Sequence, residues 1–174
     1  MSAQIIQLFP TQTKTPKTPR PVDHGVCEPH YTGSRYNKDL SIVQIAKAVR
    51  RDIAAAKKSG SIPKTAKISV RTGHSTNHRS LTVEIKSFPS NVINTERVIV
   101  EREHPHDIYN APNLPGRYSS SATDTLRALE EIVKEYSYDK SDSRNDYFNV
   151  GFYSHVDVAA ELRISDRAIA EASI

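Results

Sequence analysis

The chain has 174 residues, with 24 Lys plus Arg against 20 Asp plus Glu, a formal charge of +4 and 37% apolar residues. Such a length suits one domain with an appendage; the composition is too apolar for full disorder, and the cation excess is far smaller than that of a histone-like tail. No apolar run approaches the length of a membrane span, and the single cysteine, Cys27, excludes an internal disulfide or a cysteine-built zinc site. The opening MSAQIIQLFP has neither a basic n-region nor an apolar h-region, so no secretory leader is expected and a reducing cytoplasm is the expected compartment.

Residues 1–36 read as a flexible Pro/Thr-rich arm. Five of the ten prolines fall there (Pro10, Pro16, Pro19, Pro21 and Pro29), and TQTKTPKTPRP has no other apolar side chain. Proline removes backbone donors and favours extended geometry. Ile5, Ile6, Leu8 and Phe9 form a small apolar group within the arm, able either to dock elsewhere or to serve as a terminal strand.

The body, residues 37–158, opens on a helix. Ser41 and Gln44 have capping-box spacing, Ile42, Ile45, Val49, Ile53 and Ala56 draw one apolar stripe, and Gly60 and Pro63 stop it. Lys47, Arg50, Arg51, Lys57 and Lys58 gather on another side as a basic strip. Such a strip is either the solvated face of an amphipathic helix or a phosphate contact.

Two strands follow. Residues 67–72 alternate, with Ile68 and Val70 inward and Ser69 and Arg71 outward. Leu81, Val83 and Ile85 alternate with Thr82, Glu84 and Lys86, and GHSTNHRS joins the two as a loose hairpin. Residues 97–101, RVIVE, are compatible with a third strand, and HPHDIYNAPNLPGRYSSS reads as loop. A second helix, capped by Ser121 or Thr123, carries the stripe Leu126, Leu129, Ile132 and Val133. A polar turn then leads into a long strand. Phe148, Val150, Phe152, Val156 and Val158 share the buried parity, and Tyr147, Asn149, Tyr153, His155 and Asp157 the wet one. The order α-β-β-(β)-α-β predicts an α+β fold. Its economical form is a two-layer sandwich with both helices on one face of a mainly antiparallel sheet of three to four strands.

Two blocks carry a family resemblance. YNKDLSIVQIAKAVRRDIAAAKKSGSIPKTAKISVRTGHSTNHRSLTVEI and the later YSYDKSDSRNDYFNVGFYSHVDV resemble one of the large polyvalent protein-associated domains of phages and conjugative elements. Where that family carries a short Gly-Gly-Ser hairpin after "SVR", this chain has GHSTNHRS. The family has no established activity. The resemblance implies a mobile-element setting, a host-cell cytoplasm, and roles in protecting incoming DNA or in counter-defence, of which anti-CRISPR action is one form.

The wet sheet face is the main candidate surface. Arg71, Glu84, Lys86, Tyr147, Tyr153, His155 and Asp157 should project from it. Aromatics among cations can stack bases and hold phosphates, and Tyr and Arg are equally favoured as protein-docking anchors. His74 with His78, and His104 with His106 and Asp107, have the residue types of a metal site but no convergent shell, so neither a metal nor a cofactor is expected. Asp139, Asp142 and Asp146 lack the ligand alternation of a calcium loop and suit a turn better. No phosphate loop, nucleophile elbow or zinc-protease motif occurs, and His155 beside Asp157 is either a base–carboxylate pair or an ordinary surface contact. The terminal stretch 158–170 has the small-residue cadence of a helix–turn–helix, with Asp166 and Arg167 toward a groove, although Arg163 stands where the turn glycine belongs. Residues 159–174 otherwise read as a short helical extension.

A non-enzymatic mobile-element accessory protein is therefore expected, binding a host defence protein or nucleic acid through the open sheet face and the basic helix. A DNA-binding regulator using residues 159–174 is the alternative. No membrane partner is expected, and a homodimer is left open.

Overall fold

The computed structural model describes residues 30–75, 78–105, 114–142 and 148–174, apart from the side chains of residues 74, 75 and 78. The expectations placed on Cys27, on His106 and Asp107, and on Asp146 and Tyr147 lie outside the described residues. So does any pairing of the His74 and His78 rings.

The fold is α+β. Helix α1 (Ile42–Ser59) starts at the capping box legible in the sequence. The Gln44 amide donates to Ser41 Oγ at 3.3 Å, and the Ser41 amide donates to Gln44 Oε1 at 2.8 Å. The helix ends at Gly60, whose φ of 88° lies in the left-handed region that glycine enters most cheaply. β2 (Lys67–Ser75) and β3 (His78–Ser87) form the expected antiparallel hairpin, with Val70 opposite Val83 and Arg71 opposite Thr82.

Residues 97–101 are not a strand. They lie inside α2 (Thr95–Glu103), which is capped by Asn94 Oδ1 accepting from the Glu96 amide at 3.1 Å. A short β-branched run fits either conformation. Here the Asn94 cap and the Arg97–Glu101 pair, one turn apart at 2.7 Å, favour the helix. Helix α3 (Ser120–Lys134) begins a little earlier than either expected cap, and Leu129 and Val133 lie on its buried side.

β5 (Tyr153–Val158) is shorter than the alternating pattern suggests. It runs parallel to β3, giving the order β2-β3-β5, with α2 and α3 in the crossover that a parallel pairing needs. The preceding residues pair elsewhere. Val150 bridges to Asp139, and the Gly151 amide donates to the Tyr138 carbonyl at 3.0 Å. Phe148, expected inward, is 69% exposed, because the chain at that point has not yet joined the three-stranded sheet.

A second, two-stranded antiparallel sheet pairs β1 (Tyr31–Thr32) with β4 (Tyr138–Asp139). Of the predicted arm, residues 30–36 therefore lie against the body. The Gly33 amide donates to the Ser137 carbonyl at 2.8 Å, and Arg35 pairs with Asp52 and Glu135.

Helices α1 and α3 cover one face of the larger sheet. Ile42, Ile45, Val49 and Ile53 of α1 and Leu129 and Val133 of α3 close over Leu81, Val83, Ile85 and Val158. Burying each large aliphatic side chain contributes about 1.5–3 kcal/mol, so this layer dominates the stability of the fold. α4 (Ala160–Ala172) packs against α2, with Ala170 and Leu162 joining the core.

Candidate functional site

Strand register decides which side chains share the uncovered face. Across β2, β3 and β5 it sets three rows: Gly73–Ser80–Tyr153, Arg71–Thr82–His155 and Ser69–Glu84–Asp157. Lys86 follows Glu84 on the same side. Arg71, Lys86, Tyr153 and His155 are thus brought onto one surface, as their parity predicted. Tyr153 is 45% exposed. It also lines a surface depression of about 360 Å³ together with Arg79 and Phe148.

The electrostatics of that face differ from the sequence expectation. Arg71 is ion-paired with Glu84, and Lys86 Nζ lies 3.2 Å from Glu84 and 3.7 Å from Glu161 of α4. Two cations meant for phosphate therefore already face two carboxylates. At the same end of the face, Tyr118 Oη donates to Asp157 Oδ1 at 2.5 Å and Arg163 Nη1 approaches Asp157 Oδ2 at 3.2 Å. Burial, and then the hydrogen bond to Asp157, push the Tyr118 hydroxyl above its usual pKa. Asp157 is committed to these partners and to the Val158 amide. It does not orient His155, so the base–carboxylate pair weighed above does not form.

The basic strip on α1 divides. Arg50 Nη2 donates to the Val70 carbonyl and Lys57 Nζ to the Ala66 carbonyl, each at 2.5 Å. Arg50 tethers the helix to the edge strand β2, and Lys57 to the residue just before it. Arg51 lies beside its neighbour Asp52 at 3.4 Å. Lys47 and Lys58 remain exposed on the helix surface. Because α1 lies on the core face of the sheet, none of the five joins the Arg71–Thr82–His155 row.

Residues 160–172 form one uninterrupted helix with no internal turn, the short helical extension rather than the two-helix alternative. Asp166 is buried and accepts from the Val92 amide at 2.8 Å, while Arg167 pairs with Glu101 at 2.6 Å and Glu171 at 2.8 Å. Both side chains are thus engaged by residues of the α2 region and of α4 itself. The missing glycine at Arg163 was the legible sign, since nothing there interrupts helical backbone.

Among the described residues no three His, Cys, Asp or Glu side chains converge on a metal-sized site, and no helix is long and apolar enough to cross a membrane. The role of Tyr118 was illegible in sequence, because its loop shows no periodicity and its partner lies on a strand far along the chain. Phe148 was misplaced because its parity, without knowledge of its pairing partner, pointed to the core. Comparison with family models, curated proteins and solved structures finds no match to this chain.

Proposed function

We propose that this is a non-enzymatic binding protein of a phage or other mobile element. In this reading it engages a host defence protein through the outer face of the β2-β3-β5 sheet. The observation that carries the proposal is the uncovered row Arg71–Thr82–His155, flanked by the exposed ring of Tyr153, which shares a surface depression with the exposed Phe148. Aromatic side chains supply large, rigid contact area at low entropic cost, and a polar, internally neutralised surround suits the rim of a protein interface. A protein partner is favoured over nucleic acid because Arg71 and Lys86 are already paired with Glu84 and Glu161, and Arg50 and Lys57 are bound to main-chain carbonyls. Phosphate binding would need those cations free. The mobile-element setting rests on the resemblance of the α1–β3 and β4–β5 blocks to domains of phages and conjugative elements.

The test is affinity capture from the natural host, followed by reconstitution with the purified partner. Tyr153→Ala with His155→Ala should weaken that complex by about tenfold or more, the loss typical of removing interface anchors, with a cooperative thermal melt confirming that the variant is folded. A protein that instead binds nucleic acid with a steep salt dependence, indifferent to the double substitution, would overturn the reading.

A further inference from the structure

A second surface lies along the contact of α2 with α4. Two adjoining cavities of about 280 and 410 Å³ share Val98, Glu101 and Arg167, and together make one groove between the helices. At its centre Glu101 accepts from Arg97 Nε at 2.7 Å and from Arg167 Nη1 at 2.6 Å. Guanidinium groups from two facing helices thus already converge on one carboxylate. Burial alone would raise the Glu101 pKa, but hydrogen bonds from Arg97 and Arg167 outweigh it and hold the carboxyl below its usual range.

Each cavity also has a cation of its own. Arg117 lines one and Arg102 the other, both are exposed, and neither makes an ion pair with any described residue. Ile164, 71% exposed, stands on the wall of the smaller cavity, which it shares with Arg117. Planar guanidinium forks beside apolar ground are matched by carboxylates next to aliphatic side chains. The arginines of the groove exceed the carboxylates that hold them by only Arg102 and Arg117. A small excess of that kind suits a short acidic peptide, whereas a polyanion draws its affinity from many phosphate contacts.

We propose that the groove between α2 and α4 docks an acidic segment of a partner protein. Its carboxylates meet Arg102 and Arg117 on either side of the Arg97–Glu101–Arg167 knot, and an aliphatic side chain covers Ile164. This goes beyond the sheet-face reading and stands or falls separately from it.

The probe is a fluorescein-labelled peptide of glutamate and leucine residues, followed by anisotropy against the full chain. Saturable binding is expected, about tenfold or more weaker for Arg102→Glu with Arg117→Glu, and lost when glutamine replaces glutamate in the peptide. Both substitutions are on exposed side chains, and a thermal melt checks that the double variant is folded. The peptide should bind the Tyr153→Ala, His155→Ala variant unchanged. No saturable binding by the unaltered protein, equal binding by the double arginine variant, or displacement of the peptide by oligothymidine at lower concentration than by unlabelled peptide would each overturn the proposal. Loss of peptide binding in the sheet-face variant alone would also overturn it, while leaving the sheet-face reading intact.

Discussion

The carboxylate of Asp166 accepts a hydrogen bond from the Val92 amide at 2.8 Å, and Asn91 Nδ2 donates to the Asp166 main-chain carbonyl at 2.9 Å. This reciprocal pair fastens the middle of α4 to the segment leading into α2. Asp166 is only 8% exposed, and its Oδ2 satisfies a main-chain amide that is itself buried. Asp166→Ala leaves the Val92 N–H without a partner, and about 1–3 kcal/mol of stability should be lost. Asp166→Asn keeps an acceptor and should lose less. Urea unfolding of the two variants measures the difference, and equal midpoints would show that the bond contributes nothing.

Glu101 makes the α2–α4 contact sensitive to acid. Its folded-state pKa is depressed, so its contribution is fully present above the ordinary glutamate pKa and is lost as pH falls through the folded value. Glu101→Gln should therefore destabilise the protein at neutral pH, and the gap from the unaltered chain should close on acidification. Thermal melts across that range would show parallel curves if Glu101 were merely a surface charge.

Lys57 and Lys58 are neighbours in sequence with opposite fates. Lys57 donates to the Ala66 carbonyl, whereas Lys58 stands exposed at the end of α1. Lys57→Ala should cost about 1–2 kcal/mol and Lys58→Ala close to nothing, as expected for a charged donor against a solvated side chain. Similar losses at the two positions would mean that both act as generic charges near the helix end.

Gly33 and Gly60 are required for different reasons. A Cβ on Gly33 would collide with the main-chain carbonyls of Lys134 and Glu135, so Gly33→Ala must push the β1 segment away from the end of α3. The cost should be about 1–3 kcal/mol, with faster amide exchange at Gly33 and Arg35, which bond to Ser137 and Glu135. A Cβ on Gly60 meets nothing within 4 Å, and its φ is 88°. Gly60→Ala should cost about 1 kcal/mol from backbone conformation alone and leave exchange at Gly33 unaltered.

The elements legible in the sequence are those whose causes lie within a few residues. The Ser41–Gln44 box, the Ile42–Ile45–Val49–Ile53 stripe and the alternation of residues 68–70 and 81–85 determined α1, β2 and β3, and the parity of Tyr153 and His155 determined which way they point. Local hydrogen bonding and a fixed repeat carry such information without reference to the rest of the chain. Tertiary structure alone decided that β5 pairs parallel with β3, that Phe148 lies outside the sheet, and that Glu84 and Glu161 neutralise Arg71 and Lys86. It also decided that Arg50 and Lys57 bind main-chain carbonyls of β2 and of the residue before it, and that Glu101 gathers Arg97 and Arg167 between two helices. A side chain's parity follows from its own strand, but its charge environment is set by whatever distant segment packs beside it, and periodicity holds no record of that neighbour.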